Sequence, residues 1–402
     1  MSNTALRNAL IAAGVVGAGT AAVAQGSAVT ALTPTVISGY VDTSAIWLIE
    51  DQDGAPVLPG RSFDGPSKSD GFNLNVVKLG LEKPLDDSAW SAGYKVDLLF
   101  GPDAVGWNPS SNSSGDSDFG IRQAYVALRA DIGNGLDFKV GTFDTIIGYE
   151  VFEAGGNPNY SRSYGYFIEP TQHTGVLASY NVTDWLAVNG GVANTYSPGI
   201  NARGADGQDE DGNPMRNEDW NVAFLGSVTL TAPEDAGWLA GAALYGGIVG
   251  GLTSDGADAS NRYNFYAGVT VPLPITGLSV GASFDYRATD TYNDPTNKSL
   301  GTTETYANAF GGYVIYQLSE KLKLSGRGEY ATGTSGTYTG NYMAGMGNEE
   351  YLGVTGTLDY SLWANVISRV EFRWDKDVSN NRSFNDSTND AYQVALNLIY
   401  NF

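Results

Sequence analysis

Hydrophobic and polar residues alternate along much of this chain with a period of two. In 391–402, AYQVALNLIYNF, the even positions from Tyr392 to Phe402 are apolar or aromatic, and the odd positions are small or polar except for Ile399. Successive side chains of a strand point to opposite faces, whereas helical spacing would mix the two sets on one face. The same alternation, with charges of both signs on the polar face, recurs in 90–101, 278–287, 322–330 and 366–375. These patterns predict β-strands with one continuous apolar face and one charged face.

Sixteen segments are predicted as strands, and their links alternate between seven short turns and eight long loops rich in Gly, Asn, Asp and Ser. An even number of strands joined in this way is typical of a closed barrel that crosses a membrane, with short periplasmic turns and long external loops. We therefore predict an all-β fold, a closed antiparallel transmembrane up-and-down β-barrel of about 16 strands. The predicted strands lie near 35–50, 71–83, 90–100, 119–130, 136–146, 167–180, 185–194, 220–230, 238–249, 262–271, 278–288, 303–317, 321–331, 350–360, 366–375 and 391–402.

Residues 1–24 have the features of a cleaved signal peptide. Arg7 precedes the short apolar run 9–19, and the small residues AVA at 22–24 suit cleavage after Ala24. A short buried helix is the alternative interpretation, but the run is too short to span a bilayer as a helix. We expect export of the chain and a single transmembrane β-barrel domain over residues 25–402.

Composition excludes several kinds of chemistry. The chain has no Cys and a single His, His173, so Cys-based and multi-His metal sites are ruled out. The net charge of −22 argues against nucleic acid as a partner, because binding to phosphates needs clustered Lys and Arg. A barrel hydrolase would need a His-activated nucleophile, and no G-x-S-x-G element accompanies His173. We expect His173 to be a hydrogen-bonded barrel residue and the protein not to be an enzyme.

Acidic residues are concentrated in the predicted long loops. The segment 206–214, DGQDEDGNP, groups oxygen ligands of the kind that Ca²⁺ prefers, but its spacing departs from the EF-hand pattern. External acidic loops are commonly just solvated, so no cofactor is expected and Ca²⁺ at this loop is the alternative. A negatively charged entrance also concentrates cations, and this predicts a weak cation preference for any pore.

The stretch 141–180 is the most distinctive part of the chain. It contains the words FDT at 143–145, GYE at 148–150, NYSRS at 159–163, EP at 169–170 and TG at 174–175. With these words the stretch resembles the OmpL-like β-barrel porin family, the second porin family of that type. The resemblance implies a bacterial outer-membrane porin through which ions and small hydrophilic solutes diffuse, often as a homotrimer, with membrane lipids and the barrel assembly machinery as further partners. It supplies no particular substrate.

The third long loop, 147–166, lies between the fifth and sixth predicted strands. In porins of similar size this loop folds into the barrel, and we hypothesise the same here. Acidic groups of the loop region would then face basic residues of the wall and create a transverse field that acts as a selectivity filter. The alternative is that Arg162 merely ties the loop to a carboxylate for stability. The constriction candidates are Asp144, Glu150, Glu153, Arg162 and Glu169, and the wall candidates are Lys95, Arg122, Lys139, Arg287, Lys323, Arg327, Arg369 and Arg373.

The last predicted strand has two expected roles. It must pair with the first strand, near 35–50, because an open sheet edge is not tolerated in a bilayer. Its aromatic residues Tyr392, Tyr400 and Phe402 resemble the signal that the outer-membrane assembly machinery reads. A different function, a structural or adhesive barrel with a closed lumen, remains an alternative to the porin.

Overall fold

The computed structural model describes residues 35–49, 58–104, 118–203, 222–253, 260–290, 304–339, 347–380, 384 and 388–402. The signal peptide and the acidic segment 206–214 predicted above lie outside these residues. None of the described helical segments is long and apolar enough to cross a membrane. The strands of the described chain are β1 Val36–Leu48, β2 Gly71–Lys83, β3 Ser91–Phe100, β4 Phe119–Ala130, β5 Leu136–Asp144, β6 Gln172–Thr183, β7 Leu186–Ala193, β8 Ala223–Thr231, β9 Ala243–Leu252, β10 Asn261–Pro272, β11 Leu278–Thr289, β12 Thr305–Gln317, β13 Leu322–Gly333, β14 Glu349–Tyr360, β15 Val366–Asp377 and β16 Asp390–Asn401.

These strands form one closed antiparallel barrel, which confirms the predicted fold class. Each strand pairs with its neighbours along the chain, and β1 pairs with β16 from Tyr40↔Asn401 to Leu48↔Gln393. Backbone hydrogen bonds between Gly39 and Phe402, at 2.9 and 3.0 Å, extend this last seam. Closure satisfies the backbone groups of both edge strands, which an apolar bilayer requires.

The two faces of the strands differ as the alternation predicts. In β14 the side chains of Leu352, Val354 and Leu358 are exposed on the outside, whereas Thr355 and Thr357 are buried inside. The aromatic side chains of Tyr400 and Phe402 lie on the outer face at the end of β16. An apolar exterior around a polar interior is the arrangement expected of a barrel whose outer face meets lipid.

Two predicted strands begin later than expected. The prediction 167–180 was wrong at its start, because Tyr164–Ile168 forms a short helix, α1, that precedes β6. The Ser163 side chain caps α1 by accepting a hydrogen bond from the Tyr166 backbone at 3.1 Å, and Pro170 prevents the helix from continuing. The prediction 238–249 was wrong at its start, because a 3₁₀ turn, Gly237–Leu239, precedes β9. The other predicted strand ends agree with the structure to within three residues.

Candidate functional site: the loop inside the barrel

The segment 145–171, which connects β5 to β6 and is called the inner loop below, contacts inward-facing residues of opposite walls. Near its start, Ile147 packs against Gly247 of β9 so closely that a Cβ atom at Gly247 would lie 2.6 Å from it. Tyr149 stacks on Tyr313 of β12 with ring centroids 4.1 Å apart. These contacts place the inner loop within the lumen.

Glu150 joins the inner loop to the wall through an ion pair with Arg327 of β13. The Glu150 Oε1 and Arg327 Nη1 atoms are 2.8 Å apart, and both side chains are fully buried. Arg327 also contacts Glu329 at 2.7 Å and donates to the Ser161 carbonyl at 2.6 Å. The guanidinium therefore holds two parts of the inner loop with a single set of donors.

Glu153 lies on the opposite side of the lumen, between two basic residues. Its carboxylate is 2.6 Å from the Lys78 ammonium and also pairs with Arg122, which in turn pairs with Asp144. Burial opposes ionisation of Glu153, but the charges of Arg122 and Lys78 outweigh burial and hold the pKa of Glu153 well below its ordinary value. A chain of alternating charges thus links β2 and β4 to the inner loop.

The charged residues of β15 bind mainly the backbone of the inner loop. Arg373 donates to the Arg162 carbonyl at 2.6 Å, and Arg369 donates to the Asn157 carbonyl at 2.9 Å. Between them, Glu371 accepts hydrogen bonds from the backbone of Ser161, at 2.9 Å, and of Tyr160, at 2.5 Å. Alternating Arg and Glu on one strand therefore match the alternating acceptors and donors of an irregular backbone.

Arg162 has a different role from the one weighed above. Its guanidinium donates to the carbonyl oxygens of Val151, at 3.1 Å, and of Phe152 and Tyr160. Within the described chain, no carboxylate lies within ion-pair distance of Arg162, so the alternative that it ties the loop to a carboxylate was wrong. Arg162 instead closes the inner loop onto itself.

Glu169, at the end of α1, meets Asp285 of β11. The two buried carboxyl groups interact electrostatically, and Gly165 approaches Asp285 so closely that a Cβ atom there would lie 2.6 Å from the carboxyl oxygen. Burial, the Asp285 carboxyl and then the charge of Glu150 raise the pKa of Glu169 well above its ordinary value. Two adjacent buried carboxylates repel each other, so protonation of one of the two groups favours this contact.

The other wall candidates form separate contacts. Lys95 lies 3.4 Å from Glu82, Lys323 lies 2.6 Å from Asp359, and Lys139 lies over the ring of Tyr125 at 5.1 Å. None of these contacts involves the inner loop. Arg287 has a separate environment that is described below.

Sequence reasoning missed several residues that hold the inner region together. Glu329 and Glu371 lie on the polar faces that the alternation predicts for 322–330 and 366–375, but they are not among the candidate residues, and Lys78 occupies a similar inward position in β2. Arg61 lies outside any strand, and its contact with Asp375 at 2.5 Å could not be read from a local pattern.

A small recess, with a cavity volume of about 30 Å³, borders the inner loop. Its lining combines acidic, basic and phenolic side chains. These include Arg122, Asp144, Glu150, Tyr166 and Glu169. Of the five predicted constriction residues, Asp144, Glu150 and Glu169 line this recess. Glu153 pairs with Arg122, which also lines it. Arg162 does not line the recess and binds carbonyl oxygens of the inner loop instead.

His173 is buried in β6, and its Nε2 atom lies 3.2 Å from the Thr145 hydroxyl. Among the described residues, no group of three or more His, Cys, Asp or Glu side chains is arranged to hold a metal ion.

A family model described as "Putative beta-barrel porin-2, OmpL-like" matches residues 34–402. The chain belongs to this family. The resemblance seen in 141–180 is thereby confirmed and extends over the whole barrel. The protein is an outer-membrane β-barrel porin. No curated protein sequence matches it significantly.

Solved structures with the same fold are outer-membrane proteins. The channel DcaP of Acinetobacter baumannii matches with a TM-score of 0.56 and 14% identity, covering 92% of this chain and 97% of that one. An anion-selective porin from Comamonas acidovorans matches with a TM-score of 0.57 and 11% identity, covering 92% and 99%. A trimer form of OmpT from Vibrio cholerae matches with a TM-score of 0.54 and 14% identity, covering 92% and 99%. At these identities the likeness concerns the fold.

Proposed function

We propose that this porin forms a narrow water-filled channel for passive diffusion of ions and small hydrophilic solutes, and that the inner loop sets its cross-section. The observation that supports the proposal is the recess beside the inner loop, where Asp144, Glu150 and Glu169 stand near Arg122. Fixed charges of opposite sign across a narrow passage orient polar solutes and select among ions. Passive diffusion of this kind needs no catalytic group and no cofactor. The alternative, Ca²⁺ bound at 206–214, is tested by measuring calcium binding to the folded protein.

Bilayer recordings and liposome swelling test this proposal. The purified protein should produce steady conductance steps, and liposomes that contain it should swell in small sugars but not in larger ones. The variants Glu150→Gln and Arg162→Ala should change the conductance, because the first releases the inner loop from Arg327 and the second removes the bonds that close the loop onto itself. Unchanged conductance and ion preference in both variants would contradict a filter at this loop.

A structural or adhesive barrel with a closed lumen is the second candidate. It is favoured by the many buried contacts of the inner loop, which join it to β9, β12, β13 and β15. Folded protein that inserts into bilayers without conductance steps, and liposomes that do not swell in any sugar, would support this candidate over the porin channel.

We propose a homotrimer as the assembly. The support is a relative of the same fold, OmpT, which was solved in a trimer form. Analytical ultracentrifugation of the protein in detergent should give three times the mass of one chain. A single-chain mass would refute the trimer without affecting the proposed channel.

A further inference from the structure

Two arginines stand side by side inside the barrel near the end of the long loops. Arg262 is the second residue of β10 and faces Thr289, and Arg287 of β11 faces Asn264. The neighbouring residues Tyr263 and Phe265 lie on the outer face, so Arg262 and Arg287 both point into the lumen. Residues placed diagonally on one face of adjacent strands are within reach of each other's long side chains.

This pair is not neutralised by the described protein. Arg122, Arg327, Arg369 and Arg373 each have a carboxylate within 4.0 Å, but neither Arg262 nor Arg287 has one among the described residues. Asp285, two residues before Arg287 on the same face, interacts with the Glu169 carboxyl and forms no ion pair with either arginine. Two adjacent guanidinium groups repel each other, and Arg keeps its charge at all ordinary pH values.

The guanidinium of Arg262 is held in place with free donors. Its Nε atom donates to the Thr289 hydroxyl at 3.2 Å, and its centre lies 5.5 Å above the Tyr196 ring. Tyr196 is itself fixed, because its hydroxyl donates to Asn264 at 2.7 Å. Both arginines are partly accessible, and no other protein acceptor for their guanidinium nitrogens lies in the described chain. Among the described residues, the two Nη atoms of Arg262 and the whole fork of Arg287 therefore have no acceptor.

A third donor faces the same place without an acceptor. The Nδ2 atom of Asn264, directly across from Arg287, is buried and has no hydrogen-bond partner. An unsatisfied buried donor is costly, and a ligand that brings acceptor oxygens removes this cost. Arg262, Arg287 and Asn264 thus bring donors together with no carboxylate among the described residues, whereas the wall arginines around the inner loop are each paired with one.

We infer that Arg262 and Arg287, with Asn264 beside them, form a binding site for an oxyanion, a carboxylate or phosphate group of a solute that enters from the side of the long loops. Planar oxygen pairs match the guanidinium fork, which binds them bidentately. Because the site faces the lumen, it meets dissolved solutes rather than lipid headgroups. The inference rests on the proposed function for its route of access.

Phosphate binding to the folded protein in detergent tests the site directly. Broadening of the ³¹P resonance of inorganic phosphate gives an apparent affinity, and competition with citrate shows whether carboxylates occupy the same site. The double variant Arg262→Gln/Arg287→Gln should weaken the affinity for both probes at least about tenfold, since each charge-assisted contact is strong. Arg262→Lys keeps the positive charge but loses the planar guanidinium. Its phosphate affinity should lie between those of the wild type and the double variant.

Lys321→Gln is the matched control, since Lys321 is an exposed cation in the turn before β13, at the opposite end of the barrel. This variant should bind phosphate within about twofold of the wild type. No phosphate binding by the wild type, equal binding by the double variant, or an equal loss in the control would overturn the site. Conductance with phosphate on the loop side is measured separately, so a protein that binds phosphate without conducting refutes the channel and not the site.

Discussion

Glu150 of the inner loop and Arg327 of β13 form an ion pair of 2.8 Å in which neither side chain is exposed. Arg327 cannot lose its charge, so the inner loop must supply a carboxylate or leave a buried cation less well compensated. The position of the loop and the charge of the wall are therefore coupled through these two residues.

Glu150→Gln should lower the free energy of unfolding by about 3 kcal/mol, because it leaves the buried Arg327 with Glu329 as its one carboxylate among the described residues. Urea unfolding in lipid vesicles or detergent measures the change. Glu82→Gln is the matched control, since its pair with Lys95 is 3.4 Å long and Glu82 is 40% exposed. That variant should change stability by less than about 1 kcal/mol, and equal losses in the two variants would contradict the special role of Glu150.

Arg162→Lys should loosen the inner loop without removing a positive charge. Lysine cannot reach the carbonyls of Val151, Phe152 and Tyr160 with one planar fork as Arg162 does. We expect larger current fluctuations in single-channel records, with folding and net charge retained. A record as quiet as that of the wild type would show that the fork is dispensable.

Attachment of α1 should weaken as the pH rises. The raised pKa of Glu169 means that the folded state favours the protonated acid, so its stabilising effect is complete at low pH and is lost as the pH passes through the raised value. Asp285, Glu150 and the phenols of Tyr166, Tyr196 and Tyr266 surround this group. Conductance between pH 5 and 10 should rise with pH in the wild type and stay level in Glu169→Gln, where the amide cannot ionise. The same rise in both proteins would assign the effect to other groups.

The attachment of the inner loop through Glu153, to Lys78 and Arg122, should weaken in acid. The lowered pKa of Glu153 gives a stabilising effect that is present above the ordinary carboxyl pKa and is lost as the pH falls through the lowered value. Glu153→Gln should therefore remove the strongest acid-dependent step in the unfolding curve. An unchanged acid limb in that variant would contradict the pairing with Lys78 and Arg122.

The seam between β1 and β16 should be sensitive to the residue at Gly39. A Cβ atom there would clash with the backbone carbonyl oxygen of Lys78 in β2 and would lie 2.5 Å from the ring of Phe402 at the seam, whereas a Cβ atom at Gly328 would have no neighbour within 4 Å. Gly39→Ala should destabilise the barrel by about 2 kcal/mol and lower the folded fraction in a heat-modifiability gel, and Gly328→Ala should not.

A polar extension after Phe402 should impair membrane assembly in cells, and normal insertion would count against the assembly signal of Tyr392, Tyr400 and Phe402.

The sequence by itself determined the barrel. Alternation with a period of two places every other residue on the lipid face, and a register shift by one residue would turn the whole apolar set of a strand inward. For this reason segments such as 278–288 and 366–375 could be predicted to within two residues of the ends of β11 and β15. The exceptions, α1 and the turn before β9, lie where Ser163, Pro170 and two glycines outweigh the local apolar pattern.

Only the tertiary structure decided how the charges of the interior are paired. Alternation predicts that Arg287 and Arg327 both face the lumen, but not that one binds Glu150 and the other is left without a carboxylate among the described residues. Partners such as Arg61 and Asp375 are separated by most of the chain and meet only because the barrel closes around the loops. The energy of a buried charge depends on the groups within a few ångströms of it, and those neighbours are set by closure and loop packing rather than by local sequence.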